Sequence, residues 1–350
     1  MTTLLDLPGV RRIKPLIRRA QTYLQPRVAV LLYHRVFEPD RDPQLLCITR
    51  QRFAEHLDRV KSKYRVIHLR DLAQGVVTGK LPRRAVVITF DDGYRDNFLN
   101  ALPVLERYRL PATVFVAAGY VARNRAFWWD DLERCLLQTT SLPEQLEITL
   151  AGRNIVWRLG AEAGPALGAV ANGWDVTASE TPGERYRVYR ELAGLLRDAT
   201  GTATESVLEV LAQWAGVPRQ ARPEYRSLCA DELRGLDRSG LVEIGAHTVT
   251  HTKLSLLSHH EQQQEIFQSK RDLEALVSHP VTSFAYPFGS AGDFTDETVR
   301  LVRNAGFTCA CANEPGLSRP GTDPYRLRRF LVRDWDGNEF AKRLESWFNG

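Results

Sequence analysis

The sequence predicts an α/β fold with a parallel sheet or barrel, and two observations support this prediction. Continuous apolar runs recur along the 350 residues, and such runs are typical of strands buried on both faces. Segments with the apolar spacing of helices lie between them, and alternating strands and helices indicate parallel strands. The predicted strands are residues 28–34, 85–90, 112–118, 241–247, 282–289 and 307–312.

The helices predicted between these strands carry apolar residues on one face. They cover residues 49–63, 97–108, 258–277 and 293–304. Gly306 follows the last of them at a position where glycine commonly ends helices. In this kind of fold, polar residues that follow strands gather at the carboxyl-end face of the sheet, where we expect the functional site.

One region interrupts the alternation. Residues 146–150 and 154–159 alternate apolar and polar side chains around a turn with glycine, which predicts a β-hairpin. Residues 184–201 and 205–216 have the spacing of two amphipathic helices, ended by Gly201 and Gly216. The predicted organisation is a basic leader at 1–26, a first barrel half at 27–130, an insertion at 131–225 and a second barrel half at 226–350.

Charge and cysteine content exclude some classes of protein. The 47 basic and 42 acidic residues give a formal charge of +5 and a pI near 9.0, so most charges are matched and no nucleic-acid partner is expected. The five cysteines are scattered and odd in number, which fits reduced thiols better than a disulfide framework. Cys309 and Cys311 are predicted to be two positions of one strand rather than metal ligands.

The first residues contain neither the apolar stretch of about 7–15 residues of a signal peptide nor the about 20 of a membrane span. We therefore expect a cytoplasmic protein. Two interpretations of the leader stay open: contact with the anionic inner face of a membrane, or a short surface helix broken at Pro15 and packed on the main domain. Its basic residues are Arg11, Arg12, Lys14, Arg18, Arg19 and Arg27.

Two adjacent carboxylates, Asp91 and Asp92, end a predicted strand in the segment Thr-Phe-Asp-Asp-Gly. Like charges this close repel unless something positive holds them. A divalent cation is one solution, in which one carboxylate binds the ion and the other takes a proton from water. The alternative is a turn in which an aspartate caps the next helix.

His247 and His251 follow another predicted strand in the segment His-Thr-Val-Thr-His. This spacing brings two imidazoles within reach of one ion, as positions i and i+4 do on a helical turn. No glutamate follows the first histidine, so the base of a His-Glu-x-x-His protease is missing and Asp91 is the obvious source. The alternative is a pair of ordinary polar histidines.

The two segments in this order resemble the leading motifs of the NodB-like polysaccharide deacetylases. The resemblance covers about residues 27–130 and 226–345, and it implies a distorted (β/α) barrel. It implies Zn²⁺ or another divalent metal (Ni²⁺, Co²⁺ or Fe²⁺) held by Asp92, His247 and His251, with Asp91 as the base. The implied reaction removes N-acetyl groups from an amino-sugar-containing carbohydrate or glycoconjugate precursor. A catalytically silent carbohydrate-binding member of the same fold is the alternative.

The segment Leu-Leu-Tyr-His-Arg-Val at 31–36 resembles the opening of the branch that includes poly-N-acetylglucosamine deacetylases. That resemblance implies that His34 is the general acid, since the late Leu-x-His motif of many relatives is missing. An imidazole with a near-neutral pKa suits the protonation of an amine. The alternative is a histidine hydrogen-bonded at a strand end.

Further substrate-binding candidates come from the resemblance and from residue type. In the segment 284–289, Ala285 replaces the arginine that many relatives place beside the catalytic carboxylate, so Arg328 or Arg329 is the candidate partner of Asp91. Trp128 and Trp129 are either a sugar platform or the insertion's own core. The remaining candidates are Tyr94, whose backbone region would hold the oxyanion, Tyr286, Pro287 and Phe288 of the same segment, and Trp335 as an apolar wall for the acetyl methyl.

Overall fold

The computed structural model describes residues 25–121, 123, 125–160 and 173–349. All but the last two residues of the predicted leader lie outside this range. The strands are β1 (Arg27–Tyr33), β2 (Arg35–Val36), β3 (Cys47–Ile48), β4 (Arg65–Val66), β5 (Arg84–Phe90), β6 (Ala112–Val116), β7 (Gln145–Leu150), β8 (Arg153–Arg158), β9 (Val242–Ala246), β10 (Ser283–Ala285), β11 (Cys309–Cys311) and β12 (Phe330–Leu331).

The α-helices are α1 (Arg50–Lys63), α2 (Leu69–Thr78), α3 (Leu102–Tyr108), α4 (Ala118–Val121), α5 (Trp128–Leu132), α6 (Glu184–Arg197), α7 (Gly201–Ala215), α8 (Ala230–Arg238), α9 (His259–Val277), α10 (Asp296–Asn304) and α11 (Gly337–Asn349). Two π-helical segments, Asn97–Ala101 and Glu133–Gln138, precede α3 and follow α5. In the part of the chain that the structure describes, no helix is both long enough and apolar enough to cross a membrane.

A parallel sheet forms the centre of the fold. Its strand order is β11-β10-β9-β6-β5-β1-β12, and β4 pairs with the amino-terminal part of β5. An isolated parallel bridge joins Cys311 of β11 to Leu327, three residues before β12, so the two ends of this order approach each other. The sheet therefore curls into a distorted (β/α) barrel, which confirms the predicted fold class.

The strands are buried on both faces, as the apolar runs predicted. Side chains alternate along a strand, so Val28 and Val30 of β1 face one apolar cluster while Ala29 and Leu31 face another. Cys309 and Cys311 lie on one strand and share the first cluster. All five cysteines are free thiols.

A further apolar cluster joins the antiparallel hairpin β7–β8 to α6 and α7. The hairpin and both helices were predicted, but one boundary was wrong. Gly201 begins α7 instead of ending the helix before it, because α6 stops at Arg197 and Thr200 takes the extended backbone of an N-cap. Gly216 does end α7, in a left-handed conformation with φ of 68°.

Candidate metal centre and active site

The acidic pair follows β5 at the carboxyl end of the sheet. Asp92 and Gly93 both have left-handed backbone, each with φ of 73°. A Cβ atom at Gly93 would lie 3.0 Å from the Val116 side chain, so both the backbone and the close approach require glycine. This turn directs the two carboxylates to different partners. Asp91 faces an arginine, and Asp92 faces two histidines.

Asp91 forms a bidentate ion pair with Arg329. Arg329 Nη1 and Nη2 donate to Asp91 Oδ1 and Oδ2, both at 2.7 Å, and both side chains are buried. Burial alone favours the neutral acid, but the charge of Arg329 outweighs it, and the pKa of Asp91 is lowered. Arg328 does not take part: its side chain is half exposed and lies 3.4 Å from Glu314.

The segment from His247 to His251 is a loop rather than the helical turn used as the sequence analogy. Thr248 and His251 have left-handed backbone, with φ of 63° and 59°. The backbone N–H of His251 donates to Thr248 Oγ1 at 3.0 Å, which closes the loop on itself. The two imidazoles still come together, with ring centroids 4.9 Å apart.

Two neighbouring elements hold this loop in place. Glu265 of α9 accepts hydrogen bonds from the backbone N–H of Val249 at 2.8 Å and of Thr250 at 2.9 Å, and from the Thr250 hydroxyl at 2.8 Å. On the other side, the N–H of Gly119 donates to the Val249 carbonyl at 2.9 Å. A Cβ atom at Gly119 would lie 2.6 Å from that oxygen, so the contact depends on glycine. The sequence reasoning missed both residues.

Asp92, His247 and His251 fit a divalent metal ion. One ligand atom from each lies within 4.8 Å of the others. His251 Nε2 is 3.3 Å and His247 Nε2 is 3.7 Å from Asp92 Oδ1. His247 Nδ1 donates to the Ala285 carbonyl at 2.8 Å, which leaves the Nε2 lone pair for an ion. One carboxylate and two imidazoles suit Zn²⁺ and related cations.

The protonation of these groups also suits a cation. Burial lowers the pKa of His247 to about 4, so its imidazole is neutral near pH 7. Burial opposes ionisation of Asp92, but its hydrogen bond and charge interaction with His251 prevail, and its pKa falls to about 2. Neutral imidazole and ionised carboxylate are the forms that bind metal.

The three candidate ligands and Asp91 open into one cavity of about 400 Å³. His34 also lines it; its side chain is half-buried, and burial lowers its pKa. Several lining residues were not predicted as site residues, because no local motif marks them. Ser290 is one of the polar ones. The other polar ones are Gln44, Arg190, Arg197, Asn313 and Arg333.

Three of the predicted substrate-binding residues reach this cavity. Trp128, Trp129 and Phe288 line it, and the Phe288 ring meets the His251 ring edge-on with centroids 5.0 Å apart. Both tryptophans are also buried in the cluster of the hairpin and α6–α7. They therefore belong to the core of the inserted region and also reach the cavity, while the sugar-platform role stays a prediction.

The other predicted substrate-binding residues do not line the cavity. The Tyr94 hydroxyl is buried between Asp130, to which it donates at 2.7 Å, and the Trp129 indole N–H, from which it accepts at 2.6 Å. Arg329 is engaged by Asp91.

Tyr286, Pro287 and Trp335 likewise face protein rather than the cavity. Tyr286 stacks on Phe294 with ring centroids 3.9 Å apart, and its hydroxyl donates to the Tyr325 carbonyl. Pro287 is buried next to it. The Trp335 ring packs under the Arg343 guanidinium, 4.3 Å from the ring centroid.

The structure defines an α/β barrel protein with a candidate metal site of one aspartate and two histidines at the ends of its strands, and comparison with known proteins gives the family. The model of the polysaccharide deacetylase family matches residues 78–142 and 185–310. These ranges are more than half of the chain, which therefore belongs to the polysaccharide deacetylase family.

Individual relatives are distant. The chain is 20% identical to the putative polysaccharide deacetylase YxkH of Bacillus subtilis over 323 residues, which are 91% of this chain and 77% of that protein. It is 28% identical to poly-β-1,6-N-acetyl-D-glucosamine N-deacetylase of Staphylococcus aureus over 115 residues, only 29% of this chain and 40% of that protein.

Solved structures support the fold. The Streptococcus pyogenes deacetylase PplD superposes with a TM-score of 0.57 at 15% identity, covering 93% of this chain and 99% of that one. IcaB of Ammonifex degensii superposes with a TM-score of 0.55 at 18% identity, covering 93% of this chain and 98% of that one.

Proposed function

We propose that the protein is a divalent-metal-dependent carbohydrate N-deacetylase. The observation that carries the proposal is the convergence of Asp92, His247 and His251 beside an arginine-held Asp91 in one cavity. Membership of the polysaccharide deacetylase family supports carbohydrate deacetylation. The N-acetylglucosamine deacetylase of Staphylococcus aureus supports an N-acetylated amino sugar as substrate.

The residues divide the chemistry between them. When bound, Zn²⁺, Ni²⁺, Co²⁺ or Fe²⁺ supplies a Lewis acid that polarises the acetyl carbonyl and acidifies water. Asp91 accepts a proton from the attacking water, and Arg329 keeps that carboxylate ionised and oriented. Tyr94 does not line the cavity, so the oxyanion role of the backbone near it stays a prediction from the sequence.

His34 is the proposed acid for the departing amine. It lines the same cavity as Asp91 and directly follows β1, the strand next to β5. Its lowered pKa makes the imidazolium a stronger proton donor, although a smaller fraction is protonated at neutral pH. Proton transfer from His34 releases the free amino sugar, and acetate is the second product.

We further propose that the insertion at 131–225 selects the substrate, because α6 contributes several residues to the cavity wall. The cytoplasmic location and the membrane contact of the leader, whose residues 1–24 lie outside the described range, stay predictions from the sequence.

Acetate release tests the proposed function. Chitooligosaccharides and an activated aryl acetate are offered to the protein before and after a chelator, and again after Zn²⁺ is restored. We expect hydrolysis that the chelator abolishes and Zn²⁺ recovers. Asp91→Asn should lower it by a factor on the order of 10² or more, whereas Asp58→Asn on the exposed face of α1 should not. Hydrolysis that persists in chelator, or that survives Asp91→Asn, contradicts the proposal.

A further inference from the structure

Two arginines in the cavity have no anionic partner among the described residues. Arg190 lies on α6 and Arg333 lies just after β12, and both line the cavity that contains Asp92. Arg190 Nη2 donates to the Ala178 carbonyl at 2.8 Å, and Arg333 Nη1 donates to the Leu45 carbonyl. Each guanidinium thus contacts neutral backbone oxygens. Burying a cation without a counter-charge is unfavourable.

Arg190 retains further donor capacity. Its Nε–H is buried and has no acceptor in the described part of the chain. A guanidinium has five N–H donors, and the two backbone carbonyls of Ala178 and Glu180 accept from Nη2 alone. A buried, unmatched donor of this kind is costly unless a ligand supplies the acceptor.

In the described part of the chain, the acidic residues near these arginines form no ion pair with them, although two of them act on Arg333 at longer range. Asp42 and Asp175 are the charged groups that act on Arg333. Both oxygens of Asp42 accept from the backbone N–H of Leu46 and Cys47, and Asp175 Oδ1 accepts from the backbone N–H and hydroxyl of Thr177.

The cavity lining includes three arginines and two aspartates, which gives one net positive charge with the imidazoles neutral. Arg197 is matched by Asp293 at 3.2 Å, and Asp91 is matched by Arg329. Asp92 is the other carboxylate of the cavity lining, and it lies with the two histidines of the candidate metal centre. A divalent ion there would add further positive charge.

Arg190 and Arg333 contact two loop segments that are hydrogen-bonded to each other. The backbone N–H of Val176 donates to the Pro43 carbonyl at 2.9 Å, which joins the segment under Arg190 to the loop that contacts Arg333. Val176 also lines the cavity, as does Leu46 of that loop. The two guanidiniums therefore border one region of the wall.

We propose that Arg190 and Arg333 bind an oxyanion, a phosphate or a carboxylate, that the acetylated amino-sugar substrate carries. The inference rests on the proposed deacetylase function and narrows its substrate class to anionic glycans or sugar phosphates. Guanidinium groups match both oxyanions through paired, charge-assisted N–H donors. The anion fixes the sugar so that its acetyl group reaches the candidate metal centre.

Binding measurements test this inference separately from turnover. Zinc-loaded protein is titrated calorimetrically with N-acetylglucosamine 1-phosphate, with N-acetylglucosamine linked to glucuronic acid, and with neutral methyl N-acetylglucosaminide. We expect at least one anionic ligand to bind about tenfold or more tighter than the neutral one, equivalent to about 1.4 kcal/mol. The anionic ligand whose affinity exceeds that of the neutral ligand by the larger factor identifies the oxyanion as phosphate or carboxylate.

Substitutions locate the effect. Arg190→Gln and Arg333→Gln should each reduce the preference for the anion, Arg190→Lys should restore part of it, and the exposed control Arg300→Gln should leave it unchanged. Equal affinity for charged and neutral ligands overturns the inference. A preference that survives in the double Gln variant also overturns it, because the metal then captures the anion. If acetate release fails while the arginine-dependent preference persists, the deacetylase proposal fails and the anion site stands.

Discussion

Replacing Arg329 by methionine should destabilise the protein strongly, because the change leaves Asp91 ionised and buried. The pair has two hydrogen bonds of 2.7 Å, and Arg329 is 0% exposed. Removing one partner of such a buried pair costs about 3–5 kcal/mol. The neighbouring Arg328→Met is the matched control, because that side chain is 51% exposed and lies 3.4 Å from the partly exposed Glu314 instead of a buried carboxylate. We expect a cost below about 0.5 kcal/mol for the control.

A double-mutant cycle separates the ion pair from general packing. Urea unfolding is followed by tryptophan fluorescence in chelator, so that bound metal does not add to the stability. Asp91→Asn in the Arg329→Met background removes the unpaired charge. The double variant should therefore be destabilised less than the sum of the two single variants, by about 2 kcal/mol or more. Additive costs, or an Arg329→Met variant as stable as Arg328→Met, would refute the assignment of the pair as a buried, coupled unit.

Three other substitutions test the roles of His34, Glu265 and His56. His34→Ala should lower N-acetyl hydrolysis by about 10²–10⁴ and spare an aryl acetate, since a phenolate leaves without protonation; loss of both activities or of the metal would give His34 a different role. Glu265→Gln should weaken zinc retention by about 10–100-fold while Glu274→Gln on the same helix does not; equal retention contradicts the role of Glu265 in fixing the histidine loop. Burial lowers the pKa of His56 to about 4, so its contribution to stability is complete above its unfolded pKa of about 6.5 and is lost as the pH falls toward 4. Between pH 7.5 and 5, His56→Gln should lose about 2 kcal/mol less stability than the wild type, and identical losses would exclude this titration.

The elements that the sequence predicted are those with a long local signal. β1 and β5 are seven-residue apolar strands, and the pattern located both within a residue. β2, β4 and β12 have two residues each, too few to show a period, and none was predicted. They pair only because the fold brings distant segments together, and β12 then places Arg329 beside Asp91.

In the site, too, residues that stand in local motifs were predicted, whereas a choice that depends on how the fold brings segments together was not. Asp91, Asp92, His247 and His251 stand in two short motifs, so their chemistry was readable from spacing, while their roles stay predictions. The choice between Arg328 and Arg329 depended on which side chain turns inward after the chain returns to β1, and spacing cannot show that.

Residue type misled the prediction in two places and was silent in others. Tyr286 and Trp335 are aromatic residues near motif positions, but aromatic area also fills cores, and both pack against protein. Arg190 and Arg333 look like ordinary charged residues of a helix and a loop. Only their position on the cavity wall distinguishes them.

Asp92, His247 and His251 together are proposed to hold one divalent cation. The most direct test is the zinc content, by mass spectrometry, of protein stripped with chelator, dialysed against Zn²⁺ and then washed. The wild type and Asp91→Asn should each retain about one equivalent, and alanine variants of the three ligands should retain almost none. Zinc retained by all three alanine variants, or lost from Asp91→Asn, would contradict the division between ligands and base.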